Sequence, residues 1–268
     1  MNFQKLKCHE YSYNQTIMEL YGVGDNKKIK LVLMNALRNS GVETNKEKVF
    51  SSYDFKLSQS ISRSKKIIFE LAFCNEWNWF FTGTLNPNVH DRTDLNKFHR
   101  DLTLFLRRYG VKNGLKIHFL LVPELHDDGK SWHVHGLISG LPLSHLKQFE
   151  IGDKMSKKLL EKVLNGEKIY NWLEYSRKFG FCDLELIKNH EAVSKYITKY
   201  INKKLGSDVK EQNAHTYYCS RGLRRAEKIK IGSMNWGNIE SDYKNEYCSV
   251  ATLDYTPELF NNLLNSFI

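Results

Sequence analysis

The stretch LKIHFLLVPELHDDGKSWHVHGLIS, which spans residues 115–139, contains the features that decide the fold. Its first part, Leu115 to Leu125, is a largely apolar run of the kind that forms a buried strand. Asp128-Gly129 follows, and this pair is among the strongest short signals for a two-residue turn. Trp132 to Ser139 then has the composition of a returning strand. The stretch therefore predicts a β-hairpin.

The register of this hairpin brings three polar side chains together. A two-residue loop places Glu124 opposite His133 and Val122 opposite His135. The two histidines are two residues apart, so their imidazoles leave the same face of the strand. Directly opposed residues share a face, with Cβ atoms about 5 Å apart. Glu124, His133 and His135 are therefore expected to converge on one point.

Two imidazoles and one carboxylate on one face predict a site for a divalent ion. A three-ligand site with open positions suits Mn²⁺ or Mg²⁺, and zinc remains an alternative. His126 falls on the same face nearer the turn, and we predict it as a reserve ligand or as a group that orients a ligand. The other interpretation is that His133 and His135 are surface histidines on an amphipathic strand.

The segments on either side of the hairpin predict an α+β fold. Helical periodicity covers 59–76, 95–109, 154–165 and 190–205, with Gly110 expected just after the end of the second helix. Residues 79–85 and 181–187 read as strands, and Asn86-Pro87 closes the first of them as a turn. This order is typical of helices packed on an antiparallel sheet.

The clarity of these patterns predicts the domain organisation. Residues 1–58 carry no recognisable motif and are predicted as an N-terminal accessory segment. Residues 59–206 are predicted as the functional domain. Residues 207–268 are predicted as a basic C-terminal extension packed on the domain or following it. No internal repeat and no Pro/Gly/Ser-rich linker divides the chain further.

A second group of functional side chains lies in the sequence YITKY, residues 196–200. Tyr196 and Tyr200 are four residues apart, so a helix places both phenols on one face, and Lys199 lies beside them. A phenol with a pKa near about 10 needs a nearby cation or metal to act as a nucleophile at neutral pH. Its attack on a DNA phosphate yields a phosphotyrosine and a free 3′-hydroxyl. Half-buried helix residues beneath a basic face are the alternative interpretation.

The charge distribution favours a polyanionic partner. The net charge is +10, and residues 188–230 contain eleven lysines and arginines against four acids, which leaves seven of the ten charges in this segment. A clustered positive field is typical of nucleic-acid binding, although a solvated basic face is an equal alternative for any single residue. The predicted DNA contacts are Lys195, Lys203, Lys204, Arg221, Arg224 and Arg225, together with Thr82, Thr84 and Asn86 from the strand at 79–85.

Composition excludes several other classes of protein. No run approaches the roughly 18 consecutive apolar residues of a membrane span, so no membrane partner is expected. Residues 1–10 lack an apolar signal-peptide core, which predicts action inside a cell. The five cysteines are scattered and never spaced as Cys-x-x-Cys, which argues against a disulfide framework or a zinc ribbon.

The three motifs occur in a recognisable order. A Thr-x-Thr strand comes first, the hairpin with Glu124, His133 and His135 second, and the Tyr-x-x-Lys-Tyr helix third. This arrangement resembles the replication initiators of the His-hydrophobe-His (HUH) endonuclease superfamily. The phrases FLLVPE (119–124) and SKYITKY (194–200) are most similar to its phage and plasmid replication-associated branch. The resemblance covers roughly residues 63–205.

The resemblance implies a fold and a reaction. The fold would be a central antiparallel sheet, usually about five-stranded, with flanking helices. His133, His135 and Glu124 would hold the metal. Tyr196, as first choice, would nick an origin strand and stay attached to its 5′ end. Tyr200 would take the next strand to end a round of rolling-circle replication, and Lys199 would help.

The resemblance also implies partners. These are single-stranded or hairpin origin DNA and a separate host helicase and polymerase in the cytoplasm of a bacterial host cell. A separate helicase is expected because the chain has no Gly-x-x-x-x-Gly-Lys-Ser/Thr phosphate loop and is too short to include one.

Other classes remain as alternatives. Conjugative relaxases place the tyrosine before the histidine pair, which argues against them. Single-strand transposases of the superfamily have the right order of motifs. A non-catalytic DNA-binding regulator with an inert His-Val-His strand is the alternative from a different class.

Overall fold

The computed structural model describes residues 15–34, 53–201, 216–245 and 247–268. The α-helices in these ranges are α1 (Tyr53–Phe73), α2 (Leu95–Asn113), α3 (Lys157–Leu164), α4 (Leu173–Lys178), α5 (His190–Ile197) and α6 (Pro257–Asn265). The strands are β1 (Gln15–Tyr21), β2 (Lys28–Met34), β3 (Trp79–Thr84), β4 (His118–Leu125), β5 (Trp132–Ser139), β6 (Lys147–Gln148), β7 (Ile169–Asn171), β8 (Cys182–Leu186), β9 (Tyr218–Cys219), β10 (Glu227–Ser233), β11 (Tyr243–Lys244) and β12 (Cys248–Asp254).

The chain divides into two compact units. The larger unit is Tyr53–Arg224, and the smaller unit combines Met1–Ser52 with Arg225–Ile268. The divisions lie at 52/53 and 224/225, whereas the sequence predicted boundaries at 58/59 and 206/207. That residues 59–206 are the functional domain stays a prediction.

The larger unit is built on one antiparallel sheet. Its strand order is β6-β7-β8-β3-β5-β4-β9, so β3 and the β4–β5 hairpin lie near the middle. The edge strands β6 and β9 are two residues each, which leaves five longer strands in the centre. The predicted α+β class with a central antiparallel sheet and flanking helices is confirmed.

Helices cover both faces of this sheet. Apolar residues of α2 and α4 pack with Phe81, Val134 and Leu184 on one face. Residues of α1 and the turn after α5 pack with Leu120 and Leu137 on the other. Because successive strand residues alternate between faces, Glu124, His133 and His135 lie on the second face, beneath α1 and α5. The metal-ligand candidates therefore share a layer with the two tyrosines.

The second helix extends beyond its predicted end. Gly110 was expected to lie just past the helix, but α2 continues to Asn113, and Gly114 ends it in the left-handed conformation at φ 64°. Gly110 lies inside the helix, where a Cβ would meet the Leu115 carbonyl oxygen at 2.8 Å. This glycine permits close backbone approach and does not terminate the helix.

The last helix of the larger unit is shorter than predicted within the described residues. The sequence predicted a helix over 190–205, but α5 ends at Ile197, and a 3-10 turn, Thr198–Tyr200, follows. The Thr198 hydroxyl donates to the Lys195 carbonyl oxygen at 2.7 Å, and Ile201 is extended. Such side-chain hydrogen bonds compete with the regular helical pattern. The rest of the predicted helix lies outside the described residues.

The smaller unit contains structure that the sequence did not indicate. A five-stranded antiparallel sheet has the order β10-β1-β2-β12-β11, and α6 packs its apolar side against it. Its strands come from both sides of the larger unit in the chain, with β1 paired to β10 and β2 to β12. Thr256 begins α6 by accepting a hydrogen bond from the Leu259 amide at 3.1 Å.

The helices were also compared with the length and hydropathy that a bilayer crossing requires. Among the described residues, none of them meets both requirements.

Candidate active site

The hairpin has the register that its sequence predicts. Glu124 pairs with His133 and Val122 with His135. At the turn, the Asp128 carboxylate accepts hydrogen bonds from the amides of Lys130 and Ser131 at 2.9 and 2.8 Å. These bonds satisfy loop amides, and they fix the position at which the second strand begins.

Three ligand atoms converge on the α1/α5 face. Glu124 Oε2 lies 2.9 Å from His133 Nε2 and 3.0 Å from His135 Nε2, and the two Nε2 atoms are 2.9 Å apart. His135 is buried, while Glu124 and His133 are partly exposed. The cluster therefore has an enclosed side and an open side.

The electrostatics of this cluster favour an ionised carboxylate next to neutral imidazoles. Burial alone would raise the pKa of Glu124, but hydrogen bonds from His133 and His135 outweigh burial and lower it to about 2. Burial lowers the pKa of His135. At neutral pH the group therefore presents the protonation states that metal ligands require.

The donor set fits a small divalent ion. Ligand atoms at adjacent octahedral positions, with bonds of about 2.1 Å, are about 3 Å apart. The observed separations of 2.9–3.0 Å match this spacing. Two nitrogens and one oxygen, with one side open, suit Mn²⁺ or Mg²⁺ and do not by themselves identify the ion.

His126 lies beside the cluster without belonging to it. Its ring centroid is 4.2 Å from that of His133. Among the described residues, its Nε2 is buried and has no hydrogen-bond partner, and the group of converging ligand atoms does not include it. Its predicted role as reserve ligand stays a prediction.

The two tyrosines lie directly against this cluster. The Tyr200 ring stacks on the His135 ring with centroids 3.8 Å apart. The Tyr200 hydroxyl donates a hydrogen bond to the Tyr196 hydroxyl oxygen at 2.8 Å. Phe80 contacts both phenol rings from β3. The predicted metal ligands and the predicted nucleophiles therefore form one continuous cluster.

The tyrosines differ in exposure and acidity. Tyr196 is 44% exposed, whereas Tyr200 is 8% exposed. Burial, reinforced by the hydrogen bond with Tyr196, raises the pKa of Tyr200 well above its ordinary value. The ammonium of Lys199 lies 5.4 Å from the Tyr196 ring centroid, over the ring face. Tyr196 is therefore the more accessible phenol and has both a donor and a cation beside it.

A cleft of about 210 Å³ opens in front of the tyrosines and His135. Its other wall contains side chains that the sequence did not single out: Asp183 and Glu185 of β8, and Lys158 and Lys162 of α3. Lys162 pairs with both oxygens of Glu185 at 2.8 and 2.9 Å. Alternation in β8 could have indicated that the two acids share a face, but only tertiary structure brings them to the tyrosines.

The predicted DNA contacts on β3 have structural partners. The Thr82 hydroxyl lies 3.4 Å from His135 Nδ1, and the Thr84 hydroxyl donates to the Phe181 carbonyl oxygen at 3.0 Å. Thr84 and Asn86 line a neighbouring cleft of about 670 Å³ with His126. Their contact with DNA stays a prediction.

The predicted basic contacts are spread over the larger unit and its end. Lys195 pairs with Glu191 at 2.7 Å on the exposed side of α5. Arg221, Arg224 and Arg225 are exposed. The Arg224 backbone is tied to the Asn75 side chain by two 2.8 Å hydrogen bonds. Lys203 and Lys204 lie outside the described residues.

Comparison with known proteins gives one result. Residues 78–205 match the model of a family of replication-associated proteins of the ORF2 type. This range includes the hairpin, the cleft and both tyrosines. No curated protein and no solved structure gives a significant match. The family match supports a replication-associated protein.

Proposed function

We propose that the larger unit nicks one strand of origin DNA by tyrosine transesterification, and that this reaction starts and ends rolling-circle replication. The observation that carries the proposal is the continuous cluster from Glu124 through His135 and Tyr200 to Tyr196. A site for a divalent ion and a hydrogen-bonded phenol pair lie within one layer of side chains. The match to a replication-associated family supports a DNA substrate.

The proposed chemistry is an exchange of one phosphodiester for another. Tyr196 loses its phenolic proton, and its oxygen forms a bond to the phosphorus of the scissile phosphate. The bond from phosphorus to the 3′ oxygen breaks, and that oxygen takes up a proton. The products are a 5′-phosphotyrosine and a free 3′-hydroxyl. Because one ester replaces another, the reverse reaction can rejoin a strand without an external energy source.

The residues around Tyr196 stabilise the charge that develops on its oxygen. Tyr200 donates a hydrogen bond to this oxygen, and Lys199 lies over the ring face. Glu124, His133 and His135 would hold Mn²⁺ or Mg²⁺. Bound there, the ion would polarise the phosphate and offset negative charge in the transition state. Thr82, Thr84, Asn86 and the basic residues would hold the strand, mostly through phosphates, so binding should weaken steeply with salt.

The wider replication cycle is part of the same proposal. Tyr200 would accept the second strand at termination, and a host helicase and polymerase would act at the free 3′-hydroxyl inside the bacterial cell. Hairpin or single-stranded origin DNA would be the substrate.

The covalent intermediate provides the decisive test. The chain is incubated with Mn²⁺ and a random pool of single-stranded oligonucleotides labelled at the 3′ end, which stays with the protein after nicking. We expect a labelled adduct that resists denaturation, with the label on Tyr196 by mass spectrometry. Tyr196→Phe and His135→Ala should abolish it. Tyr243→Phe, an exposed tyrosine of the smaller unit, is the control and should retain it.

Other outcomes would contradict specific parts of the proposal. An adduct that persists in the Tyr196→Phe/Tyr200→Phe double variant would exclude both nucleophiles. An undiminished adduct in EDTA would exclude the role of the metal. DNA binding without any adduct would favour a non-catalytic regulator, and joining of the nicked end to unrelated DNA would favour a transposase.

A further inference from the structure

Three side chains lie side by side in one row across the central sheet. Thr82 of β3 pairs with His135 of β5 on one side and with Asp183 of β8 on the other. Because directly opposed residues share a face, all three side chains point into the layer that contains the tyrosines. The row thus connects a candidate metal ligand to an acidic side chain two strands away.

The hydrogen bonds in this row have a defined direction. His135 Nε2 faces Glu124 and His133, so its lone pair is the one available to a metal. The other ring nitrogen, Nδ1, must then carry the proton, and it lies 3.4 Å from the Thr82 hydroxyl oxygen. Once Thr82 accepts that bond, its own proton needs an acceptor. Asp183 accepts a hydrogen bond from the Thr82 side chain.

We propose that Asp183 is a positioning residue for the metal centre. It acts through Thr82 to hold His135 in the tautomer with the proton on Nδ1 and the lone pair on Nε2. The inference rests on the proposed function, since it assumes that Glu124, His133 and His135 bind a metal. Carboxylates commonly orient metal-binding histidines by direct contact. Here a threonine hydroxyl lies between the two groups.

The second histidine provides an internal comparison. Thr84 lies opposite His133 in the same register. Its hydroxyl, however, donates to the Phe181 carbonyl oxygen, and His133 Nδ1 has no hydrogen-bond partner among the described residues. A threonine opposite a histidine is therefore not sufficient. The acidic residue on the far side distinguishes Thr82 from Thr84.

The surroundings of Asp183 argue against a role in simple ion pairing. Burial and the charge of Glu185 both disfavour its ionised form. The ammonium of Lys162, the nearby cation in the cleft, is paired to both oxygens of Glu185. A carboxyl in this position is a cost to folding unless it serves another group, and the Thr82 hydroxyl is the group it contacts.

Metal affinity tests the inference without reference to nicking. Mn²⁺ is titrated into the full chain, and free Mn²⁺ is followed by electron paramagnetic resonance. Thr82→Val and Asp183→Ala should each weaken binding about tenfold, within the range for lost outer partners of metal ligands. Thr82→Ser keeps the hydroxyl and should bind within twofold of wild type. Asp183→Asn keeps an acceptor oxygen and should recover most of the loss seen with Asp183→Ala.

Matched controls separate the relay from general effects on the cleft. Thr84→Val removes a hydroxyl opposite the other histidine, and Glu185→Gln removes a charge two residues from Asp183. Both should leave Mn²⁺ affinity unchanged. Because Thr82 and Asp183 act in series, the double variant Thr82→Val/Asp183→Ala should bind no more weakly than either single variant.

A nitrogen NMR measurement adds a readout that a merely structural role would not change. With Mg²⁺ present, His135 should be in the Nδ1-protonated form in wild type and in a tautomer mixture in Thr82→Val. Additive losses in the double variant, or an equal loss in Glu185→Gln, would overturn the relay. If wild type itself fails to bind Mn²⁺, the proposed metal centre is wrong, and the relay falls with it.

Discussion

Tyr200 connects the two parts of the site at the level of single residues. Its ring stacks on His135, and its hydroxyl donates to Tyr196. The residue is buried, so its phenol is held in one orientation by its neighbours. In its present position it is better placed to stabilise charge on Tyr196 than to attack a phosphate itself.

Removing the Tyr200 hydroxyl should therefore slow the first nicking step without abolishing it. A hydrogen bond to a charged group contributes about 1.5–3 kcal/mol, so Tyr200→Phe should reduce the rate of adduct formation at least tenfold. The phenylalanine ring keeps the stack on His135, and Mn²⁺ affinity should be unchanged. Single-turnover kinetics with labelled DNA provides the measurement. If Tyr200→Phe loses the adduct completely while Tyr196→Phe retains it, the order of the two tyrosines is reversed.

Asp183 should make stability depend on pH. Burial raises its pKa to about 7, the charge of Glu185 adds to this, and Lys162, the Thr82 hydrogen bond and Lys158 oppose it. The unfolded value is about 3.9. A group with a higher pKa in the folded state stabilises folding fully at a pH below the unfolded value, and this contribution is lost as pH rises through 7.

The variant Asp183→Asn does not titrate at this position and isolates the effect. From pH 5 to pH 8 in EDTA, the melting temperature of wild type should fall relative to that of Asp183→Asn. Parallel melting profiles would show that Asp183 has an ordinary pKa in the folded protein.

At the scale of elements, local sequence predicts the hairpin because its determinants are close together. Strand alternation and the Asp128-Gly129 turn fix the register of β4 and β5 within a few residues. The convergence of Glu124, His133 and His135 follows from them. The end of α2 could not be predicted in this way, since Gly110 looks like a helix terminator until the Leu115 carbonyl is seen against it.

This contact reverses the usual effect of replacing a helical glycine. Gly→Ala in a helix interior normally stabilises by about 1 kcal/mol. Gly110→Ala would place a methyl group 2.8 Å from a backbone oxygen that cannot move aside easily. We expect destabilisation of about 1–3 kcal/mol, measured by urea unfolding. Lys112→Ala, at an exposed position of the same helix, is the control and should have little effect. A gain in stability for Gly110→Ala would contradict the close approach.

The cleft wall opposite the tyrosines was beyond local prediction. Asp183 and Glu185 reach the site because β8 pairs with β3, about 100 residues earlier in the chain. Lys158 reaches it because α3 packs over this end of the sheet. No periodicity or turn signal near these residues encodes those pairings. Recognising the motifs located the metal ligands and tyrosines, while the residues that surround them required the fold.

At the scale of the whole molecule, the larger unit contains every described residue of the candidate site. We expect a fragment of residues 53–224 to fold and form the adduct. A fragment of residues 59–206, which follows the predicted boundaries, lacks β9 and the Arg224 backbone that satisfies the buried Asn75 amide. An unpaired buried amide costs about 1–3 kcal/mol, so this fragment should melt at a lower temperature. Equal melting temperatures would favour the predicted boundaries.

The pairing of β1 with β10 and of β2 with β12 also has a consequence for biosynthesis. During translation β1 and β2 emerge first and can pair only with each other, so both outer edges of this hairpin stay open. At about 5–20 residues per second, the strands that close those edges follow about 10 to 40 s later. Open strand edges template aggregation. The charged side chains Glu19, Lys28 and Lys30 are therefore expected to protect the nascent chain while the larger unit folds.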